Sequence, residues 1–121
     1  MRKLVALFLV CAPLQASAEV MDYTKCKVNS GKTIADVQTW VTDWRALAKK
    51  KGVDYRLRIL IPHADPQMHA DELFIEGGSS TLQSHAKAWD WWYTDAEAAA
   101  SNKQLTAATT CDSGATYRST D

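Results

Sequence analysis

The sequence predicts an α+β fold: a four-stranded antiparallel sheet with helices on one face, in the order β-α-β-β-α-β. Three observations predict it. Residues 54–62 alternate with period two, residues 33–51 repeat their apolar positions at helical spacing, and Cys26 and Cys111 fall in segments that this order makes neighbours.

The first strand is expected over Glu19 to Asn29. Val20, Thr24, Cys26 and Val28 take one face, and Met21, Tyr23, Lys25 and Lys27 the other. A turn at Asn29-Ser30-Gly31-Lys32 leads to Thr33, which caps a helix with Asp36 three residues on. Ile34, Val37, Val41, Trp44 and Ala48 form the apolar stripe, widened by Trp40 and Leu47. Lys49, Lys50 and Lys51 suit the negative end of the helix dipole, and Gly52 is the natural terminator.

The second strand runs from Asp54 to Pro62, with Tyr55, Leu57, Ile59 and Ile61 on one face and Arg56, Arg58 and Leu60 on the other. After a polar loop, a short third strand starts at Glu72, turns Leu73 and Ile75 to the helices, and is expected to break at Gly77-Gly78. Ser80 or Thr81 caps a second helix that carries Leu82, His85, Ala86, Trp89 and Trp92 on one face. That helix is expected to be broken near residues 93–96, where Thr94-Asp95-Ala96-Glu97 restarts it to about Ala107. The last strand, Cys111 to Arg118, puts Cys111, Ser113, Ala115 and Tyr117 on one side and Thr116 and Arg118 on the other.

The N-terminus reads as a cleaved export signal. Arg2 and Lys3 precede an apolar run from Leu4 to Leu14 and the small residues of Ala16-Ser17-Ala18. Cleavage after Ala18 leaves residues 19–121 as a single domain in the periplasm or outside the cell. A domain of that length buries roughly 60–70% of its unfolded surface. The apolar run is too short for a permanent span, and the mature part has no other run long enough. Cys11 leaves with the signal. Cys26 and Cys111 remain, and in an oxidising compartment they read as one disulfide, against the alternative of two buried thiols. Their places, late in the first strand and early in the last, meet when those strands pair antiparallel.

Without Arg2 and Lys3, the 14 basic residues fall to 12 against 14 acidic ones. A net charge near −2 gives no reason to expect nucleic acid or a membrane surface as partner. No phosphate loop or nucleophile elbow is present, Ser79, Ser80 and Ser84 sit at a helix start, and no cofactor is expected.

The element order over residues 20–118, with TIADVQTWVTDWRALAKKKG in the first helix and ELFIEGG in the third strand, resembles the ferredoxin-like dimeric α+β barrel superfamily. The nearest relatives in kind are antibiotic-biosynthesis-monooxygenase-like and stress-responsive barrel domains. The resemblance implies a homodimer and a small-molecule cavity. It carries over no catalytic residue, because no motif position matches one.

Four features carry the candidate chemistry. By parity, the helix-free sheet face gathers Tyr23, Lys25, Lys27, Arg56, Arg58, Phe74, Glu76 and Arg118. That is an anion-binding surface with flanking rings, or an ordinary wet face with its charges laddered. Unpaired cations there would be costly to bury, so either the dimer is absent, or it forms elsewhere, or it encloses an anion. The loop PHADPQMHADE brings His63, Asp65 and His69 close together, but the spacing matches no metal site and a solvated loop is the plainer reading. His85 reads as a core histidine with one nitrogen satisfied, or less plainly as a general base. AWDWWYTD holds three of the five tryptophans. Trp89 and Trp92 read as core. Trp91 falls off that stripe and, with Tyr93, lies under the following helix, lines a ligand site or docks a partner.

Three functions remain open. The first is a binding module for a small anionic or aromatic ligand. The second is a cofactor-independent monooxygenase-like enzyme. The third is an interaction module docking through Trp91 and Tyr93.

Overall fold

The computed structural model describes residues 19–119, so the export signal lies outside the described residues. The elements are β1 (Val20–Val28), α1 (Ile34–Lys51), β2 (Arg56–Leu60), β3 (Glu72–Ser79), α2 (Leu82–Thr94), α3 (Ala96–Ala108), β4 (Thr109–Cys111) and β5 (Ala115–Arg118). All strand pairs are antiparallel, in the order β2-β3-β1-β4, and β5 also pairs with β1.

The expected last strand is thus two strands on one edge of β1. Cys26 pairs with Cys111, and Tyr23 with Ala115. Two β1 residues, Thr24 and Lys25, face three between β4 and β5, residues 112–114. That extra residue is a bulge, and it flips every side chain after it. Thr116 and Arg118 therefore share the face of Asp22 and Val20 instead of lying on the helix-free face, and Tyr117 turns to that outer face, where its ring meets Tyr23 edge-on at 5.6 Å.

Local signals set α1. Thr33 and Asp36 form the reciprocal capping box, and Gly52 closes the helix at φ 67°. Val37, Trp40, Val41, Trp44 and Ala48 are buried against the sheet, with Leu57, Leu73 and Cys26 beneath them. The Cys26–Cys111 disulfide is formed and joins directly opposed residues of β1 and β4.

Gly77 and Gly78 do not end β3. The strand runs through them to Ser79, because neighbouring side chains cross it there. A Cβ on Gly77 would overlap the Tyr55 ring, and one on Gly78 would meet Met21 on the opposite face.

Helix α2 is capped by Thr81, and Asp95 ends it while capping α3 through Oδ1 to the Glu97 and Ala98 N–H groups. The inward face of α2 centres on His85, Ala88 and Trp92. Leu82 and Ala86, expected inside, are exposed, and Trp89 and Trp91 flank the centre on either side. Among the described residues no helix is long and apolar enough to cross a membrane.

Candidate functional site

Asp22 lies between Val20 and Thr24 on β1, at core-face parity, and is 7% exposed. Four side chains from three parts of the chain donate to it: the approach to β2, α2 and β5. The Tyr55 hydroxyl, just before β2, and His85 Nε2 on α2 each lie 2.7 Å from Oδ2. Trp89 Nε1, one turn on from His85, lies 3.1 Å from the same oxygen. Thr116 of β5, its cross-strand partner, donates to Oδ1.

The proton positions follow from the chemistry of these groups. A carboxylate only accepts, so the hydrogen between Asp22 and His85 sits on Nε2. With Nε2 a donor, the Trp89 N–H, 3.0 Å from it, points instead to the carboxylate. Burial alone would raise the Asp22 pKa, but the bonds from Thr116, Tyr55 and His85 outweigh it and hold the carboxyl below its ordinary value. Burial, then the bond to Asp22 and its charge, push the Tyr55 phenol far up, so it stays a neutral donor. Asp22 is therefore an ionised carboxylate inside the fold, stabilised by neutral hydrogen-bond donors and the imidazole.

Beside it, between sheet and helices, lies a cavity of about 160 Å³. Asp22, Thr24, Leu57, Ile75 and Gly77 form its floor, with Cys111 at one edge. Trp40 and Trp44 of α1 wall one side, and Trp89, Trp91 and Trp92 of α2 another. Tyr55 adds a sixth ring, and Asn102 and Leu105 of α3 close the far end. The rings are held edge to face: Trp44 meets Tyr55 at 5.7 Å and Trp91 at 6.1 Å. Trp40 Nε1 is fixed by Ser101 at 3.0 Å. Trp91 Nε1 is buried without an acceptor. Among the described residues Asp22 is the one charged residue in the lining, which contains no lysine or arginine.

The sequence-predicted candidates are divided by this arrangement. Trp91 faces inward onto the cavity. Tyr93 is 77% exposed and stacks on Trp89 at 5.5 Å. On the outer sheet face every expected cation has a carboxylate: Lys25 with Glu72 at 3.3 Å, Lys27 with Asp71 at 3.4 Å, Arg56 with Glu19 at 2.6 Å, and Arg58 with Glu76. Arg118 is on the other face. The positive surface that parity suggested is thus a ladder of ion pairs, with Tyr23 beside Glu76.

His63, Asp65 and His69 are exposed in their loop, where Asp65 accepts the Gln67 N–H and Glu72 the His69 N–H. Among the described residues no cluster of His, Cys, Asp or Glu gathers to hold a metal. The residue that sequence reasoning missed is Asp22. Its signal was a carboxylate at core parity in an otherwise inward-facing row.

An α+β domain with a ring-lined cavity between sheet and helices is the class that fold and site define. Among solved structures the chain resembles SnoaB, a cofactor-independent oxygenase from Streptomyces nogalater, at 10% identity and a TM-score of 0.58, over 87% of this chain and 96% of that one. A conserved protein of unknown function from Bacteroides thetaiotaomicron matches at the same identity and TM-score, over 85% and 99%. Likeness at this identity establishes the fold alone, and it is the α+β fold that the sequence predicts. No protein-family model matches the chain, and no curated protein matches it in sequence.

Proposed function

We propose that the domain binds a small organic molecule in the cavity between sheet and helices, not on the outer sheet face. One observation carries this reading: six aromatic rings and one ionised carboxylate converge on a single cavity of about 160 Å³. Its size sets the ligand. An engineered apolar cavity of about 150 Å³ holds benzene, whereas drug-sized ligands need about 300 Å³ or more. A ligand of about six to eight heavy atoms fits without rearrangement. The test is thermal unfolding of residues 19–121 with single-ring compounds such as toluene and phenol at millimolar concentration, read with tryptophan fluorescence. A rise in Tm with altered emission is expected, and no shift with any ring-sized compound overturns the reading.

The Asp22 carboxylate on the cavity wall, with the His85 imidazole bonded to it behind the lining, favours a second reading, an oxygenase that works without a cofactor. SnoaB, which shares the fold, is such an enzyme. Asp22 and His85 already share a hydrogen and can take up or return a proton from a bound molecule. The lowered pKa makes Asp22 a weak base, which favours binding over proton transfer. Dioxygen uptake with hydroquinone and substoichiometric protein separates the two. Multiple turnovers, abolished in Asp22→Asn, would establish catalysis.

The mature chain is proposed to begin at Glu19 and to work in the periplasm or outside the cell. The Cys26–Cys111 disulfide supports this, since such bonds persist in oxidising compartments. Mass spectrometry of secreted protein tests it: a mature mass beginning at Met1 would overturn it.

A further inference from the structure

Resting on the cavity reading above, we infer that the preferred ligand is a small organic cation of quaternary-ammonium type, held between the tryptophan faces and the Asp22 carboxylate.

The charge of the site is the first ground. Among the described residues Asp22 is the one charge on the cavity wall, and no lysine or arginine lines it. The outer-face cations are each engaged with their own carboxylates on the opposite side of the sheet. The groups that touch Asp22 are a phenol, an indole, a hydroxyl and the imidazole of His85. A ligand entering the cavity therefore meets a negative potential in a low-dielectric pocket. An anion would be repelled, and a neutral ring would leave that potential unanswered.

The walls are the second ground. Ring faces are the negative ends of aromatic quadrupoles, and tryptophan binds cations best. Five tryptophans and one tyrosine line this cavity, drawn from three separate elements. Their edge-to-face and tilted packing fixes them at different angles around it. Aromatic walls closed by one carboxylate are the chemistry that recognises alkylated ammonium groups, whose charge is spread over methyl groups and needs no hydrogen-bond acceptor.

Size is the third. A cavity of about 160 Å³ admits a trimethylammonium group with a two-carbon arm, but not a polycyclic ring system.

The two probes that decide this are choline and its uncharged carbon isostere, 3,3-dimethylbutan-1-ol, titrated calorimetrically into residues 19–121. Choline is expected to bind at least about tenfold more tightly than the isostere, with the preference reduced to less than about twofold in Asp22→Asn. Equal binding of the two probes overturns the cation inference and leaves the cavity reading standing. If neither binds while toluene does, the cation inference again fails alone. If toluene also fails, the cavity reading falls with it. The comparison on the unsubstituted protein stands whether or not Asp22→Asn folds.

Discussion

The Tyr55 hydroxyl donates to Asp22 at 2.7 Å across β3, a strand to which neither residue belongs. The crossing is at Gly77, which pairs with Asp22 on one side and Leu57 on the other. A methyl group there would occupy the space of the Tyr55 ring. Gly77→Ala is therefore expected to expel Tyr55 from the cavity wall, at a cost of about 1–3 kcal/mol for overpacking. Tyr55→Phe removes the hydroxyl alone and leaves Asp22 with its other donors, at a cost of about 1–3 kcal/mol. Urea midpoints of the two variants measure both. A Gly77→Ala midpoint equal to that of the unsubstituted protein would mean that Tyr55 has another place to go.

Much of the fold was legible because its signals are local. Thr33, Asp36 and Gly52 mark the ends of α1 by their own chemistry, and Cys26 and Cys111 marked the pairing of first and last strands. Long-range facts were less visible. Strict alternation from Cys111 gave Thr116 and Arg118 the wrong face, because one extra residue at 112–114 reverses parity and leaves no trace in hydrophobicity. Gly77-Gly78 resembles a strand end, and nothing nearby in sequence announces that Tyr55 and Met21 cross there. A stripe on α2 through Leu82 and Ala86 leaves Trp91 outside, whereas the helix turns His85 and Ala88 inward and brings Trp91 to the cavity. Helix phase shows His85 as a core histidine with one nitrogen satisfied, and this is found, but its acceptor Asp22 is far off in the first strand, where nothing near His85 points to it.

Acid should weaken the fold through Asp22. Its folded pKa lies below the ordinary 3.8, so it binds its proton less readily folded than unfolded. Its stabilising contribution is complete above the unfolded value, and declines as pH falls past about 4 and through the folded pKa. Asp54, Glu72 and Glu76 shift in the same direction and steepen the acid limb. Asp22→Asn is expected to be less stable at pH 7 and to lose less stability between pH 5 and pH 3. Chemical denaturation across that range checks it. An unchanged slope would remove Asp22 from the account.

The disulfide closes a separation of 85 residues. In the chain-entropy model a loop of that length contributes about 4–5 kcal/mol by restricting the unfolded chain. Paired Cys26→Ser and Cys111→Ser substitution should lower stability by up to that amount. It should also loosen the cavity edge, which Cys111 lines. Denaturant unfolding gives the first quantity, and ligand titration of the same variant gives the second.

Trp40 and Trp91 make a controlled comparison. Both line the cavity, but Trp40 donates to Ser101 whereas the buried Trp91 N–H has no acceptor. Trp40→Phe loses ring area and the bonds from its N–H to the Ser101 carbonyl and hydroxyl. Trp91→Phe loses similar area but relieves a stranded donor, a difference of about 1–3 kcal/mol in its favour. Thermal unfolding of the two variants is expected to rank Trp91→Phe the more stable, and the reverse order would mean that the Trp91 N–H has a stabilising partner.

The ion pairs on the outer sheet face also change the expectation for assembly. Unpaired cations there would have opposed burial, but each of Lys25, Lys27, Arg56 and Arg58 already has a carboxylate. Tyr117 projects from the same face, 59% exposed and edge-on to Tyr23. Pairing lowers the cost of covering these charges below that of unpaired cations, and the Tyr117 ring is an apolar anchor for a second copy. We propose a homodimer through this face. Light scattering at micromolar protein should give twice the mass of one chain, and Tyr117→Asp should give the mass of one chain with a folded circular-dichroism spectrum. Monomer for the unsubstituted protein, or dimer for Tyr117→Asp, would place the interface elsewhere or nowhere.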